Sequence, residues 1–321
     1  MWIAGYLLNK LLSTIALLLG TSLLTFVLLR LAPGDPIAIM IENADVAVGR
    51  QQVGSEQQTR LRAELGLDQP LPLQYLSWVG RIVRLDVGVS FRSRQPVAEE
   101  LARRLPATAS LAGAALLVEL GLALPLGMLT AARAGRTIDH VTRMLAVFLA
   151  ATPSFVLGVL LLWLFAVKLR WIGVSGPATF ERLILPALTL GLLSVPAVMR
   201  VLRASLLAEA QRLYIVFGRA KGLSERWLML RHILPNALLP VITLLGINLS
   251  GLLSGAVIVE TVFSWPGIGK YAVDSIYARD YPVIQGYVLL VTTIVLVVNM
   301  GVDMIYLLLD PRLRHGKGIS L

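Results

Sequence analysis

The stretch Ala237-Leu-Leu-Pro-Val-Ile-Thr-Leu-Leu-Gly-Ile-Asn-Leu-Ser-Gly-Leu-Leu-Ser-Gly-Ala-Val-Ile-Val-Glu-Thr-Val-Phe263 runs for 27 residues with a single ionisable side chain, Glu260. About 20 mostly apolar residues suffice for a helix to cross the hydrocarbon layer of a bilayer. This segment therefore reads as a transmembrane helix. Working outward, five more stretches meet the same test: roughly Tyr6–Leu29, Ala107–Ala132, Met144–Val167, Leu183–Leu202 and Val283–Leu309. Composition agrees, since 56% of the 321 residues are hydrophobic and 15% are charged, against about 25% charge in soluble domains. The expected fold class is an all-α integral membrane protein with six spans. The first apolar run is too long for a signal peptide and lacks a small-residue cleavage site before Arg30-Leu-Ala-Pro-Gly-Asp-Pro36. It is expected to stay as an uncleaved anchor.

The formal charge of +10 is read as a topological signal before it is read as a nucleic-acid footprint. Lys10, the 133–143 loop, the 200–231 loop and the C-terminal tail together carry fourteen basic residues against four acidic ones. The 31–104 segment on the other face carries nine of each. The excess of Lys and Arg places both termini and the 200–231 loop of this multi-pass chain in the cytoplasm. The 31–104 segment is expected to form a small extracytoplasmic subdomain between spans 1 and 2. Within it, Ser55–Leu67 reads as a short surface helix ended by Gly66, and Leu73–Val83 as an amphipathic helix after Pro70 and Pro72. The expected division of the chain is an anchor helix at 1–30, the subdomain at 31–104, a five-span core at 105–311 and a tail at 312–321.

Catalytic chemistry is scarce. There is no cysteine, so thiolate catalysis, thiolate metal sites and disulfides are excluded, and the histidines number three: His140, His232 and His315. A phosphate-cradling loop needs G-x-x-x-x-G-K-[ST]. The nearest stretch, Ser264-Trp-Pro-Gly-Ile-Gly-Lys-Tyr271, lacks the first glycine and the hydroxyl residue. No H-E-x-x-H occurs, and Gly251-Leu-Leu-Ser-Gly255 has the wrong spacing for a nucleophile elbow. The chain is expected to bind no cofactor or metal and to have no ATP site of its own.

Intramembrane charge is the other place to look. A carboxylate at mid-bilayer costs on the order of 3 kcal/mol, so Glu119, Glu260 and Asp303 should face the bundle interior or a wet cavity. For Glu119, central in its span, a translocation-path role and an interhelical hydrogen bond stand equally. For Glu260 and Asp303 the structural reading is preferred. Gly246-x-x-x-Ser250 and Gly251-x-x-x-Gly255 suit close helix approach, within the bundle rather than between subunits. Pro125, Pro153, Pro186 and Pro196 imply kinks, and Trp171 and Trp265 suit an aromatic belt.

The loop between the fourth and fifth spans is long, basic and locally helical. Leu213, Tyr214, Val216, Phe217 and Ala220 put an apolar face on a short helix that stops at Gly222, and Trp227, Leu230 and Ile233 follow at helical spacing before Pro235. Such a helix could lie flat on the bilayer or fit a groove on a cytoplasmic partner.

The residues here carry a resemblance. Tyr214-Ile-Val-Phe-Gly-Arg-Ala-Lys-Gly222-Leu-Ser-Glu, followed by Arg231-His-Ile-Leu-Pro-Asn-Ala-Leu-Leu-Pro240, resembles the EAA-type coupling loop of ABC importer permeases. Along nearly its whole length the chain resembles the dipeptide/oligopeptide/nickel permease family. The matching stretches are Leu28–Pro36, Glu64–Tyr75, Phe263–Gly269, Arg279–Gln285 and Asp310–Arg312, in that order.

The resemblance implies a type I ABC importer of a bacterial-type inner membrane, in which this chain forms half of the pore. Its expected partners are a second, non-identical permease, two ATPase subunits that use the ATP, an extracytoplasmic substrate-binding protein and membrane lipid, with no nucleic acid. Within a coupling loop at 203–236, Tyr214, Phe217, Arg219, Ala220, Lys221 and Gly222 would meet an ATPase subunit. Gly222 corresponds to the motif glycine that ends the helix. The motif's Glu-Ala-Ala is replaced by Val216, Phe217 and Gly218, and His232 stands where Ile is frequent. Gly218 should weaken the helix by up to about 1 kcal/mol relative to alanine. The implied cargo is a di- or oligopeptide, or nickel or a metal chelate. The short Lys168–Arg182 loop resembles nickel-type members, whereas bare nickel would favour imidazole or thiolate ligands along its path. Peptide is the leading expectation. An ATP-independent channel or another polytopic membrane protein is the alternative class, and neither accounts for the coupling-loop match.

Overall fold

The computed structural model describes residues 2–31, 68–171, 173 and 178–309. The helix expected at Ser55–Leu67, the motif residues 32–36 and the 312–321 tail lie outside the described residues. Helices dominate: α1 (Trp2–Leu31), α2 (Leu71–Val83), α3 (Val97–Ala132), α4 (Thr137–Ala151), α5 (Ser154–Leu162), α6 (Phe180–Ala210), α7 (Leu213–Ala220), α8 (Glu225–Leu228), α9 (Leu234–Val262), α10 (Ile268–Tyr277) and α11 (Tyr281–Leu309). Wider π-type turns extend α5 through Trp163–Lys168 and join α8 to α9 through Met229–Ile233. Among the described residues, the one β-type contact is an antiparallel bridge between Val89 and Pro96.

Among the described residues, five stretches are long and apolar enough to cross a membrane: Leu12–Leu31, Val97–Ala132, Phe180–Ala210, Glu225–Leu252 and Tyr281–Val302. The sixth differs from expectation. The sequence pattern predicts one span over Met144–Val167 with a kink at Pro153; the bend there is far sharper, two helical segments meeting at 100° at Thr152-Pro153. Proline has no N–H to donate and disfavours the helical region for the residue before it. Thr152 is extended, with φ −81° and ψ 123°, and its hydroxyl donates to the Phe148 carbonyl at 2.9 Å. Pro235 causes no such break. It falls in the first turn of α9, where a missing N–H costs nothing, so the chain continues from the loop into the span.

The described chain divides into two compact units. The first is drawn from Met1–Pro106 and Gly267–Leu296, with a small core of Val97, Leu101, Ile268 and Val283. Asp280, 1% exposed, organises it. Its carboxylate accepts from the Ser90 hydroxyl at 2.6 Å and from the backbone N–H groups of Phe91 and Arg92 at 3.1 and 3.2 Å. The turn before α3 is thereby pinned to the start of α11. Arg104 also stacks on the Tyr271 ring, 4.0 Å from its centroid.

The second unit, Ala107–Pro266 with Val297–Leu321, is built round α6, which packs against α4, α5 and α9. A β-carbon at Gly191 would stand 2.6 Å from the Ala115 carbonyl oxygen, so this α3–α6 crossing admits only glycine. Gly246 lies similarly against Val302 of α11, and the Ser250 hydroxyl donates to Asn299 at 3.3 Å. The first small-residue motif therefore packs within the chain, as expected; Gly255 of the second lies outside the described side chains. Glu260 is fully buried and accepts from the Thr108 hydroxyl at 2.6 Å. Trp265 departs from the aromatic-belt reading: it is 4% exposed and its indole N–H donates to the Ala107 carbonyl at 2.8 Å. Trp171 stays exposed. Asp303 lies on α11, its side chain outside the described ones.

Replacing Asp280 with alanine strands one hydroxyl and two N–H groups, and the expected loss is about 3 kcal/mol. Trypsin cleavage after the exposed Arg92 and Arg94 in detergent should accelerate at least tenfold over wild type; an unchanged cleavage rate would show that the turn is held by other means.

Candidate functional site

The loop leaving α6 folds back as α7, reverses at Gly222 and re-enters the membrane through α8 and α9. The reversal is a helix stop of the Schellman type. Leu223 N–H donates to the Gly218 carbonyl at 3.1 Å, and Gly222 N–H donates to the Arg219 carbonyl at 2.9 Å. Gly222 itself has φ +80°, a region that costs a side chain roughly 1–2 kcal/mol. The Ser224 hydroxyl then caps α8 by accepting from Trp227 N–H at 3.3 Å.

The two faces of α7 differ in chemistry. Ile215 and Gly218 are buried, while Leu213, Val216, Phe217 and Ala220 are exposed, Phe217 to 66%. The exposed residues recur at helical spacing of three and four, so they form one apolar stripe directed away from the chain. Gly218 has a packing role that helix propensity does not predict. A β-carbon there would stand 2.7 Å from Leu228 Cδ2, and Leu228 is 1% exposed. The missing side chain lets α8 seat against the backbone of α7. Ile215, Leu228 and Ile233 continue into a buried cluster with Leu202 and Leu206 of α6 and Ala237 and Val241 of α9. The stripe is thus mounted on the ends of two spans.

Polar contacts brace the mount. Asn236 donates to the Tyr214 hydroxyl at 3.0 Å, and that hydroxyl bonds in turn to Glu209. Burial, together with the Glu209 carboxylate, pushes the Tyr214 hydroxyl above its ordinary range. It stays protonated at neutral pH and acts as the donor to Glu209. Arg219 donates to Glu225 at 2.6 and 3.3 Å and to the Ala210 carbonyl at 3.3 Å. Below the loop, Arg203 of α6 makes a two-pronged pair with Asp139 of α4 at 2.9 and 2.7 Å, and Gly135 N–H donates to the same carboxylate at 2.9 Å.

Of the residues singled out in the sequence, Tyr214, Phe217, Arg219, Ala220, Lys221 and Gly222 come together on α7 and its stop. Their functions divide. Phe217 and Ala220 belong to the outward stripe, Lys221 is exposed, and Tyr214, Arg219 and Gly222 shape the loop. Glu119 stands apart on α3. It is fully buried and accepts from Asn248 of α9 at 2.7 Å through Oε1. Its Oε2 has no hydrogen-bond partner among the described residues. Leu213 and Val216, read from the sequence as part of the apolar face, lie on the stripe; sequence reasoning missed Leu228 as the filler of the Gly218 notch and Asn248 as the partner of Glu119. Asn248 was detectable as the one amide inside the fifth span. Among the described residues, no three His, Asp or Glu side chains cluster to hold a metal.

Comparison with known proteins adds lineage to this geometry. Residues 123–315 match the family model described as the binding-protein-dependent transport system inner membrane component, and residues 3–112 match the model of that system's N-terminal membrane component. The dipeptide transport system permease protein of Escherichia coli is 36% identical over 343 residues, covering 97% of this chain and 99% of the relative. The di/tripeptide permease of Pseudomonas aeruginosa is 37% identical, covering 93% and 95%. The glutathione permease of Salmonella choleraesuis is 36% identical, covering 97% and 99%. A solved inward-facing MetNI methionine ABC transporter aligns with TM-score 0.55 at 19% identity, over 65% of this chain and 96% of its own. That likeness concerns the fold.

The Gly218–Leu228 contact predicts a size-coupled pair. Gly218→Ala should cost about 1–3 kcal/mol by overpacking, and Leu228→Ala about 2–5 kcal/mol by cavity formation. The double variant should melt above the sum of the two losses by at least about 0.5 kcal/mol in detergent. Strict additivity would place the two residues out of contact.

Proposed function

Since the chain belongs to the binding-protein-dependent transport system inner membrane component family, it is the membrane-spanning permease subunit of an ABC importer, and we propose that it carries di- or oligopeptides inward, driven by ATPase subunits seated on the α7 stripe. One observation carries the proposal: α7 presents Leu213, Val216 and Phe217 to the outside while its other face is locked into the ends of α6 and α9. An isolated apolar stripe on a loop would transmit nothing. Mounted this way, a push on α7 must move two spans as a body, which is the mechanical requirement of alternating access.

In this reading the basic 200–231 loop and both termini face the cytoplasm, and the segment between α1 and α3 faces outward. The pore is completed by a second, non-identical permease. Two ATPase subunits bind and hydrolyse ATP, and this chain binds no cofactor. A substrate-binding protein delivers cargo from outside. Tyr214, Arg219 and Gly222 set the shape of the coupling element, and Phe217, Ala220 and Lys221 meet the ATPase. Glu119 lines the translocation path when α3 and α9 separate. The peptide cargo is supported by the relatives named for dipeptide, di/tripeptide and glutathione transport. The nickel reading has only the short 168–182 segment behind it, so peptide is the cargo we propose.

Proteoliposomes holding the assembled importer should take up a labelled dipeptide with ATP when its binding protein is supplied. Phe217→Asp and Gly222→Val should each cut the rate by more than about tenfold, equivalent to about 1.4 kcal/mol, with the chain still inserted. Arg133→Gln, an exposed basic residue elsewhere, should leave it unchanged. Wild-type uptake by both loop variants would overturn the coupling assignment, and uptake without ATP would favour a channel.

A further inference from the structure

The helix α2 (Leu71–Val83) lies in the segment between two spans, where a water-exposed surface helix is the ordinary expectation. Its contacts point elsewhere. Tyr75 OH lies 2.8 Å from the Ser22 hydroxyl of α1, and Phe26 of α1, 4% exposed, meets the Tyr75 and Trp78 rings at centroid distances of 5.5 and 5.9 Å. Ser22 and Phe26 are not at the end of α1. They precede Leu31, the last residue of the apolar stretch Leu12–Leu31, by nine and five residues. At 1.5 Å rise per residue, that is about 13 Å and 7 Å inside the span. A helix held at that depth beside a lipid-facing span is itself beside lipid.

The faces of α2 fit that placement. Tyr75, Trp78 and Ile82 turn toward α1 or are partly buried, whereas Leu73, Leu76, Gly80 and Val83, spaced three and four apart, share the outward side. Leu73, Leu76 and Val83 are exposed by 50, 63 and 78%. Ser77 and Arg81, also exposed, form a separate narrow polar edge, and Arg84 follows the helix. A helix apolar on both its packed and its outward sides, with basic residues at one edge, suits the boundary between acyl chains and headgroups. Long basic side chains there can reach the phosphates while their stems stay among the chains. The outward stripe is also continuous with α1, whose Leu23, Leu24, Val27 and Leu28 are exposed.

We propose that α2 is an interfacial membrane helix, seated in the bilayer leaflet at the C-terminal end of α1, with Leu73, Leu76 and Val83 on acyl chains and Arg81 and Arg84 at the headgroups. The segment between the first two spans is thereby anchored in lipid at a fixed depth, in addition to its tether through α1.

The chain contains no cysteine, so a single cysteine placed in it is the one labelling site of the complex once the partner chains are made cysteine-free. Nitroxide labels at Leu73, Leu76, Val83 and Ser77 would be read in the full complex, reconstituted in nanodiscs of phosphatidylethanolamine and phosphatidylglycerol. The expected result is at least fivefold greater relaxation by oxygen than by a water-soluble nickel chelate at the three apolar positions, with the ratio reversed at Ser77. Preferential relaxation by the nickel chelate at Leu73, Leu76 and Val83 would overturn the proposal in favour of a water-exposed helix. Protection from both relaxants would overturn it in favour of a protein partner on that face. Circular dichroism and reconstitution yield for each labelled variant confirm that the helix is native when read.

Discussion

Hydrocarbon offers no hydrogen bonds, so a polar group that this chain carries into the membrane must meet protein or a water-lined cavity. That constraint accounts for more of the structure than any single contact. It restricts the spans to helices and forces the break at Thr152-Pro153 to be answered locally by the Thr152 hydroxyl. It gives Glu260 a Thr108 donor and Trp265 a carbonyl acceptor at Ala107, neither of them adjacent in sequence. Close helix approach serves the same end. Where polar pairs are few, packing must supply association, and Gly191 and Gly246 let neighbouring helices come within reach of backbone and valine side chains.

The same economy shapes the loop that leaves the membrane. Between α6 and α9 the chain turns back on the buried residues Ile215, Gly218 and Leu228. The stop at Gly222, the notch at Gly218 and the buried Leu228 produce a rigid knuckle whose inner side merges with the hydrophobic cluster of the spans. Arg219–Glu225 is exposed on both sides and contributes little on its own. Its importance is geometric, since it joins the last turn of α7 to the first of α8. Arg203–Asp139 ties α6 to the start of α4 beneath the loop. Motion imposed on α7 therefore has stiff routes into α4, α6 and α9. This mechanical continuity, rather than the apolar stripe alone, distinguishes a coupling element from a helix resting on a bilayer.

Much of this was legible in the sequence, for reasons that can be named. Long apolar runs declare spans because the length requirement is set by the bilayer. A glycine at the end of a short amphipathic helix declares a left-handed stop, and Gly222 has that geometry. The motif Arg279–Gln285 was visible, yet the task of Asp280 was not, because its partners Ser90, Phe91 and Arg92 lie about 190 residues away. Hydropathy also ran through Pro153 without a pause, since a kinked span and a span broken by 100° have the same composition. Trp265 looked like a belt residue because position near a span end is all that periodicity sees; its burial depends on α3. Gly218 looked like a defect because propensity scores a helix alone, whereas Leu228 fills the space above it. The cost of a mid-bilayer carboxylate turns Glu119 to the bundle interior or a wet cavity, but its partner Asn248, 129 residues distant, leaves no trace in the local pattern.

In the proposed importer the outward stripe of α7 is covered by an ATPase subunit and not by lipid. A photo-crosslinking amino acid at Val216, exposed by 48% and aligned with Leu213 and Ala220, tests it directly in native membranes. After irradiation, the chain is purified by an affinity tag and its adducts are identified by mass spectrometry. The expected result is a dominant adduct with a nucleotide-binding ATPase subunit, at a yield that changes when ATP is trapped. Adducts with phospholipid alone, unaffected by nucleotide, would contradict it and leave α7 a helix lying on the bilayer.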